Sequence, residues 1–194
     1  MKKNLSRGRP AGKTDAKDRI HEAAREQFLE RGYHDVSMRS IAAAAGVDAA
    51  LVSYYFGSKQ GVFAAALQLP TNPATIVAEE LGDLDNFAQR VLTRVFAVWD
   101  NPRSGQPLAA AASLAVSDLS FRRVLSEAVT RELISPIAAR LEGPDAEPRA
   151  AAFAAAVSGI IFSRYLLAVE PTASIDAAQL VGQLAPALQR LITP

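Results

Sequence analysis

Cysteine is absent from the 194 residues, which rules out disulfides, thiol nucleophiles and cysteine-ligated zinc and fits a cytoplasmic protein. Histidine is scarce: His21 and His34 lack metal-ligand spacing to each other, so no metal and no cofactor is expected. No uncharged apolar run reaches the ~18 residues that a bilayer span needs. The longest candidate, 150–163, is mostly alanine and stops at Arg164, so it reads as a buried helix and no membrane partner is expected. The basic start, Met1-Lys2-Lys3-Asn4, is not followed by the apolar core of a signal peptide. Alternating β-branched runs and Asn-Gly or Asp-Gly turns are missing, and so is any internal repeat. Gly8 and Gly12 open no strand-to-helix phosphate loop, and no serine sits in a nucleophile-elbow pattern. The carboxylate pairs Glu79-Glu80 and Asp83-Asp85 read as solvated charges near a helix end or loop, and no enzyme is expected.

What the chain does have is apolar helical periodicity and an uneven charge. Apolar residues make up 49%, enough for a real core. The net charge of +1 conceals 11 Lys/Arg against 7 Asp/Glu over 1–69 and 10 against 13 over 70–194. A basic front half points to a polyanionic partner, although basic tails are often merely solvated. Residues 1–13 are polar, basic and broken by Gly and Pro, and read as a flexible arm. A first helix capped by Thr14 or Asp15 carries Ile20, Ala23, Ala24 and Phe28 at helical spacing and ends at Gly32. Ser37, Asp48 and Ser58 then cap three short helices, with Gly46 turning between the first two of them. Pro70 and Pro73 mark a boundary. Further helices are expected over 84–99, 108–116, 121–141 with a kink at Pro136, 146–169, and 176–191 with a kink at Pro186. The fold class is therefore all-α, with a front domain over 14–70 and a helical rear domain over 71–194.

The front segment has the layout of a helix-turn-helix: just over two turns from Ser37 to Gly46, a glycine turn, then two turns from Asp48 to Tyr55 that suit a major groove. The run Ile41-Ala-Ala-Ala-Ala-Gly-Val-Asp-Ala-Ala-Leu-Val-Ser-Tyr-Tyr-Phe-Gly-Ser-Lys59, with Phe28-Leu-Glu-Arg-Gly-Tyr33 and Ser37-Met-Arg39 before it, resembles the signature of TetR-type repressors over about 14–69. Two positions depart from that pattern. Asp48 stands where the family usually has Ser or Thr, and its charge repels phosphate; Ser53 stands where Tyr is common. Both put the operator sequence in doubt more than the fold.

The resemblance implies a three-helix DNA-binding domain with a linking helix, and a C-terminal helical domain that binds a ligand and dimerises. It implies DNA contact by Ser37, Arg39, Ala49, Ala50, Leu51, Ser53, Tyr54, Tyr55 and Lys59. The alanines and Leu51 would meet thymine methyls; the tyrosines and Lys59 would meet phosphate. Tyr55 and Phe56 have core packing as the competing role, and Arg39 has plain solvation. Arg7-Gly8-Arg9-Pro10 matches an AT-hook core, so Arg7 and Arg9 are candidates for an adjacent minor groove, against a solubilising tail.

In the rear half, small residues Ala152, Ala155, Ala156, Gly159 and Ser163, with Leu180, Leu184 and Leu188 on the last helix, form a candidate dimer interface. The resemblance places a four-helix dimer bundle at these two segments; an intramolecular core is the alternative. It also implies an apolar pocket, for which Phe87, Phe96, Trp99, Phe121, Phe153, Phe162 and Tyr165 are candidates, with ordinary core as the alternative. Arg164 would meet an anionic ligand there or make an ion pair. The partners expected are a palindromic double-stranded DNA operator, a second copy of the chain, and a small apolar or aromatic effector. A repressor is the leading reading. An activator or effector-independent regulator, and a helical carrier of small apolar molecules, are the others.

Overall fold

A computed structural model describes the backbone over 11–67 and 73–193 and the side chains over 15–67 and 74–193. Among the described residues every regular element is a helix. The chain divides into two compact units that part after Leu67.

The front unit is built from α1 (Ala11–Arg31), α2 (Met38–Ala45), α3 (Ala49–Phe56) and α4 (Lys59–Ala66). Helix α1 already includes residues 11–13, which the sequence had assigned to the arm. It buries Ala16, Ile20, Ala24 and Phe28 on one stripe and stops at Gly32, whose φ of 82° is open to glycine at little cost. Phe28, Tyr33 and Phe63 close the core as three mutually contacting rings, with centroids 4.8–5.6 Å apart. The His21 ring nitrogen Nε2 lies 2.8 Å from the Ala65 carbonyl, which joins α1 to the end of α4 and gives that histidine a structural role.

The rear unit contains α5 (Pro73–Glu80), α6 (Phe87–Asp100), α7 (Pro102–Ser117), α8 (Leu119–Val129), α9 (Ser135–Ala138), α10 (Ala146–Ile161) and α11 (Ala177–Ile192). Two elements were unexpected. Helix α5 starts at Pro73, and α7 starts at Pro102 rather than near Leu108. In both cases a proline opens the helix, because its missing N–H lies in the first turn, where no intrahelical partner exists. Asn101 caps α7 through the Arg103 N–H at 2.9 Å. Before Pro136 the chain widens into a π-helical turn, Thr130–Ile134, between α8 and α9. Proline removes one N–H and crowds the carbonyl four residues back, and the wider turn takes up both effects. A second such turn, Phe162–Leu166, follows α10.

The rear core joins Phe87, Leu92 and Phe96 of α6, Phe153 of α10, and Leu180, Val181, Ala185, Leu188 and Ile192 of α11. This corrects part of the expected dimer face. Leu180 and Leu188 are buried inside their own unit and Leu184 packs against the same core, because the apolar stripe of α11 meets the stripe of α6. Ala156 also packs partly buried against it. Helix ends here are closed by distant side chains. Asn86 gives α6 no side-chain cap; the Gln189 amide oxygen accepts from the Ala88 N–H at 3.0 Å, and its NH2 donates to the Leu84 carbonyl at 2.8 Å. Arg149 donates to the terminal carbonyls Leu191 and Ile192 of α11 at 2.9 and 2.6 Å.

The carboxylates read as solvated are in part buried. Glu80 is only 15% exposed and accepts from Arg90 Nε at 2.6 Å and Arg94 Nη1 at 3.0 Å, and Glu79 lies 2.5 Å from Arg94. The network bolts α5 to α6. Hydrogen bonds from Arg90, then Arg94, outweigh desolvation and hold the Glu80 carboxyl below its ordinary 4.5. A depressed folded-state value means stability that is present above pH 4.5 and lost as pH falls through the lowered value. Glu80→Gln should therefore reduce stability at neutral pH, and the gap to the parent protein in urea melts should close as pH drops below 4.5. Gly105 is buried in the first turn of α7, where a Cβ would collide with the Trp99 carbonyl. Gly105→Ala should cost about 1–3 kcal/mol, as overpacking does; a denaturation midpoint equal to the parent's would contradict that close approach.

Candidate nucleic-acid interface and an apolar cavity

The Ser37–Lys59 segment is held by local caps. Ser37 and Ser40 form a reciprocal box: Ser40 N–H donates to Ser37 Oγ at 3.0 Å and Ser37 N–H to Ser40 Oγ at 2.9 Å. Helix α2 buries Ile41, Ala42 and Ala45 and leaves Arg39 in solvent. Gly46, at φ 63°, ends it with the Val47 N–H on the Ala42 carbonyl and its own N–H on Ala43, a left-handed closure that any L side chain would strain. The Asp48 carboxylate accepts from the Ala50 N–H at 2.7 Å, so its charge sits at the positive end of α3. Val52 is the fully buried anchor of α3. Opposite it, Ala50, Ser53 and Tyr54 are exposed, with Tyr54 at 74%.

The expected DNA-facing residues fall into two groups. Arg39, Ala50, Ser53 and Tyr54 are open to solvent on α2 and α3, and Ser37 is exposed at the α2 N-terminus with its oxygen engaged in the cap. Ala49, Leu51 and Tyr55 are half-buried; the Tyr55 ring lies between Tyr54 and Phe56, at 5.3 and 6.3 Å. Phe56 is itself only half-buried, with the Lys17 ammonium 6.0 Å from its ring. The Lys59 ammonium lies 4.4 Å from the Tyr33 ring centre and donates to the His34 carbonyl at 3.3 Å, so it also holds the loop before α2. Arg7 and Arg9 lie outside the described residues. Helix α3, AALVSYYF, carries no Arg, Lys, Asn or Gln, so all it can offer a base edge is methyl groups and hydroxyls.

The rear unit contains a partly open cavity of about 180 Å³ among α5, α6, α7, α10 and the α8–α9 segment. Ile76 and Val77 come from α5, Val91, Val95, Val98 and Trp99 from α6, Leu108 from α7, Leu133 and Ile137 from the α8–α9 segment, and Phe153, Val157, Ser158 and Ile161 from α10. Of the aromatic candidates, only Trp99 and Phe153 line it. Phe87, Phe96 and Phe121 are buried away from it, Phe162 is 45% exposed, and Tyr165 stacks on Trp99 at 5.3 Å. Large rings are poor markers of this pocket, since most of its wall is Val, Ile and Leu. Its α5 contribution was missed because Pro73 was read as a break. Arg164 makes an internal contact rather than a cavity contact. Its Nη1 donates to the carbonyls of Thr172 and Ile175 at 2.7 and 2.8 Å, and its Nη2 lies 4.0 Å from Asp100. Tyr165 donates to Asp100 at 2.8 Å; burial first, then that carboxylate, push its phenol up to about 12, so it remains a donor.

Comparison with known proteins follows the same division. A family model described as bacterial regulatory proteins of the tetR family matches residues 20–66, and one described as the tetracyclin repressor-like C-terminal domain matches 85–192, more than half of the chain. The HTH-type transcriptional regulatory protein RaaS of Mycobacterium tuberculosis is 39% identical over 83 residues, covering 36% of this chain and 39% of that protein. The chain thus spans about two fifths of the length of that curated relative. A TetR-family regulator of Streptomyces coelicolor A3, SCO0857, has a solved structure that is 29% identical, with 97% of this chain and 100% of that one covered and a TM-score of 0.50. The multidrug binding protein EbrR, solved in complex with proflavin, is 25% identical, with 91% and 99% covered and a TM-score of 0.50. The chain belongs to the TetR family of bacterial regulatory proteins.

Proposed function

We propose that this regulator is a cytoplasmic homodimeric repressor that holds a palindromic operator and releases it when a small apolar or aromatic molecule fills the rear cavity. The observation that carries this reading is an apolar cavity of about 180 Å³ in the unit that does not hold the helix-turn-helix. A ligand shifts an equilibrium only through unequal affinity for two states; a cavity whose shape differs between those states would offer that inequality. EbrR, a relative of the same length class, is described as binding proflavin. Family membership removes the support for a carrier without DNA binding.

One helix-turn-helix reads too few base pairs to be selective, so two copies on a palindrome suit the fold. Residues Ala152, Ala155 and Gly159 are exposed on α10 with Phe162 just beyond it, and a Cβ on Gly159 or Gly182 would meet nothing in its own chain. Small exposed residues at spacings of three and four admit a close partner helix. Gly159→Leu should leave the unfolding midpoint near that of the parent and shift the protein from dimer to monomer in sedimentation. A dimer of undiminished affinity would remove α10 from the interface.

On DNA, Arg39 and Tyr54 would meet phosphate, Ala50 a thymine methyl, and Arg7 and Arg9 an adjacent minor groove. Binding to the protein's own upstream DNA, followed at two salt concentrations with excess competitor, tests this. Arg39→Ala should weaken binding across sequences and lower the salt slope by about 1. Removal of residues 2–10 should weaken binding and flatten the slope further. Unchanged affinity and slope in both variants would move the interface off this face.

A further inference from the structure

The walls of the rear cavity go beyond "apolar" to a statement about charge. None of the side chains that line it is ionisable in the neutral range. Its polar side-chain groups are the Trp99 indole and the Ser158 hydroxyl, and that hydroxyl already donates to the Ala154 carbonyl at 2.8 Å. The acids of α5 and α6, the two helices that give most of one wall, are committed elsewhere. Glu79 and Glu80 of α5 are paired with Arg94 and Arg90, and Asp100 of α6 accepts from Tyr165 beside Arg164.

Resting on the reading of this cavity as the effector site, we propose that it takes a small uncharged molecule of one or two rings' size and rejects organic cations of the same shape. An ion entering the site would lose much of its hydration and find no carboxylate among the lining side chains to replace it, a penalty that a hydrocarbon does not meet. The faces of Trp99 and Phe153 attract a cation but supply no counter-charge, and Trp99 already stacks on Tyr165. The size follows from the volume: a dry apolar cavity of about 150 Å³ accepts benzene, and this one is about 180 Å³. Ser158, with its hydrogen spent, has an oxygen lone pair left to receive one donor, so a neutral ring bearing a hydroxyl or amine also fits. Proflavin, which EbrR holds, carries a positive charge at neutral pH and is thus the kind of ligand this cavity excludes.

A matched pair of probes isolates the charge. 1-Methylnaphthalene and 1-methylquinolinium share an outline and differ by one ring atom and one positive charge. Equilibrium dialysis of each against the full-length protein measures affinity. Trp99, the chain's single tryptophan, reports by its emission whether the cavity is where the hydrocarbon sits. We expect the hydrocarbon to bind at least about a hundredfold more tightly than the cation, from the cost of an unpaired buried charge. Ser158 is exposed enough to lengthen, so Ser158→Glu, or Ser158→Asp if the first fails to fold, should cut that preference to about tenfold or less by supplying a counter-charge. Equal affinities for the two probes in the parent protein, or an unchanged preference in a folded Ser158→Glu variant, would overturn the charge selectivity and leave the effector site standing. Failure of both probes to bind, with Trp99 emission unmoved, would overturn the effector site itself.

Discussion

Each helix leaves N–H groups at its start and carbonyls at its end that must find partners outside the helix, and how this chain meets that requirement separates its two units. In the front unit most of the partners are local. Ser37, Asp48 and Ser58 each accept an N–H two or three residues on, and Gly46 turns the chain so that the last carbonyls of α2 are reached by the next two residues. In the rear unit several partners come from far along the chain. Gln189 caps α6 from about a hundred residues away, and Arg149 closes the end of α11. The helices of the front unit are thus capped mainly by their own neighbours, while in the rear unit the start of α6 and the end of α11 are closed only when α6, α10 and α11 are together.

That difference suits the two tasks. A DNA-reading surface needs α2 and α3 fixed with respect to each other, and local caps with a three-ring core beneath supply it. The exposed strip of α3 offers methyl groups and hydroxyls and no side chain that could make a forked hydrogen bond to a base. A cavity, in contrast, is a place where packing is incomplete. It lies among α5, α6, α7 and α10, and the ion pairs of Glu80 and the Tyr165–Asp100–Arg164 contacts hold its surroundings where close packing is missing.

Much of this was legible in the chain before any coordinates. Capping residues and left-handed glycines are chemical requirements of a few consecutive residues, so the three short front helices could be placed nearly to the residue. Other expectations failed for reasons beyond local reach. Pro73 reads as a boundary, and α7 as a helix starting only near 108, because proline's effect depends on which side of it the helix lies. Leu180 and Leu188 looked like an interface because an apolar stripe does not say whether its partner belongs to the same chain. Glu80 looked solvated because Arg90 and Arg94 are ten and fourteen residues away, on another helix.

Sequence alone determined the helical class, the helix-turn-helix and its family, since these follow from periodicity, caps and turns within short windows. Tertiary structure decided which aromatic rings line the cavity, which face of α11 is used up inside the unit, and that the cavity wall carries no charge. Those are properties of the space between helices, and a side chain's position along the chain does not state which space it will occupy.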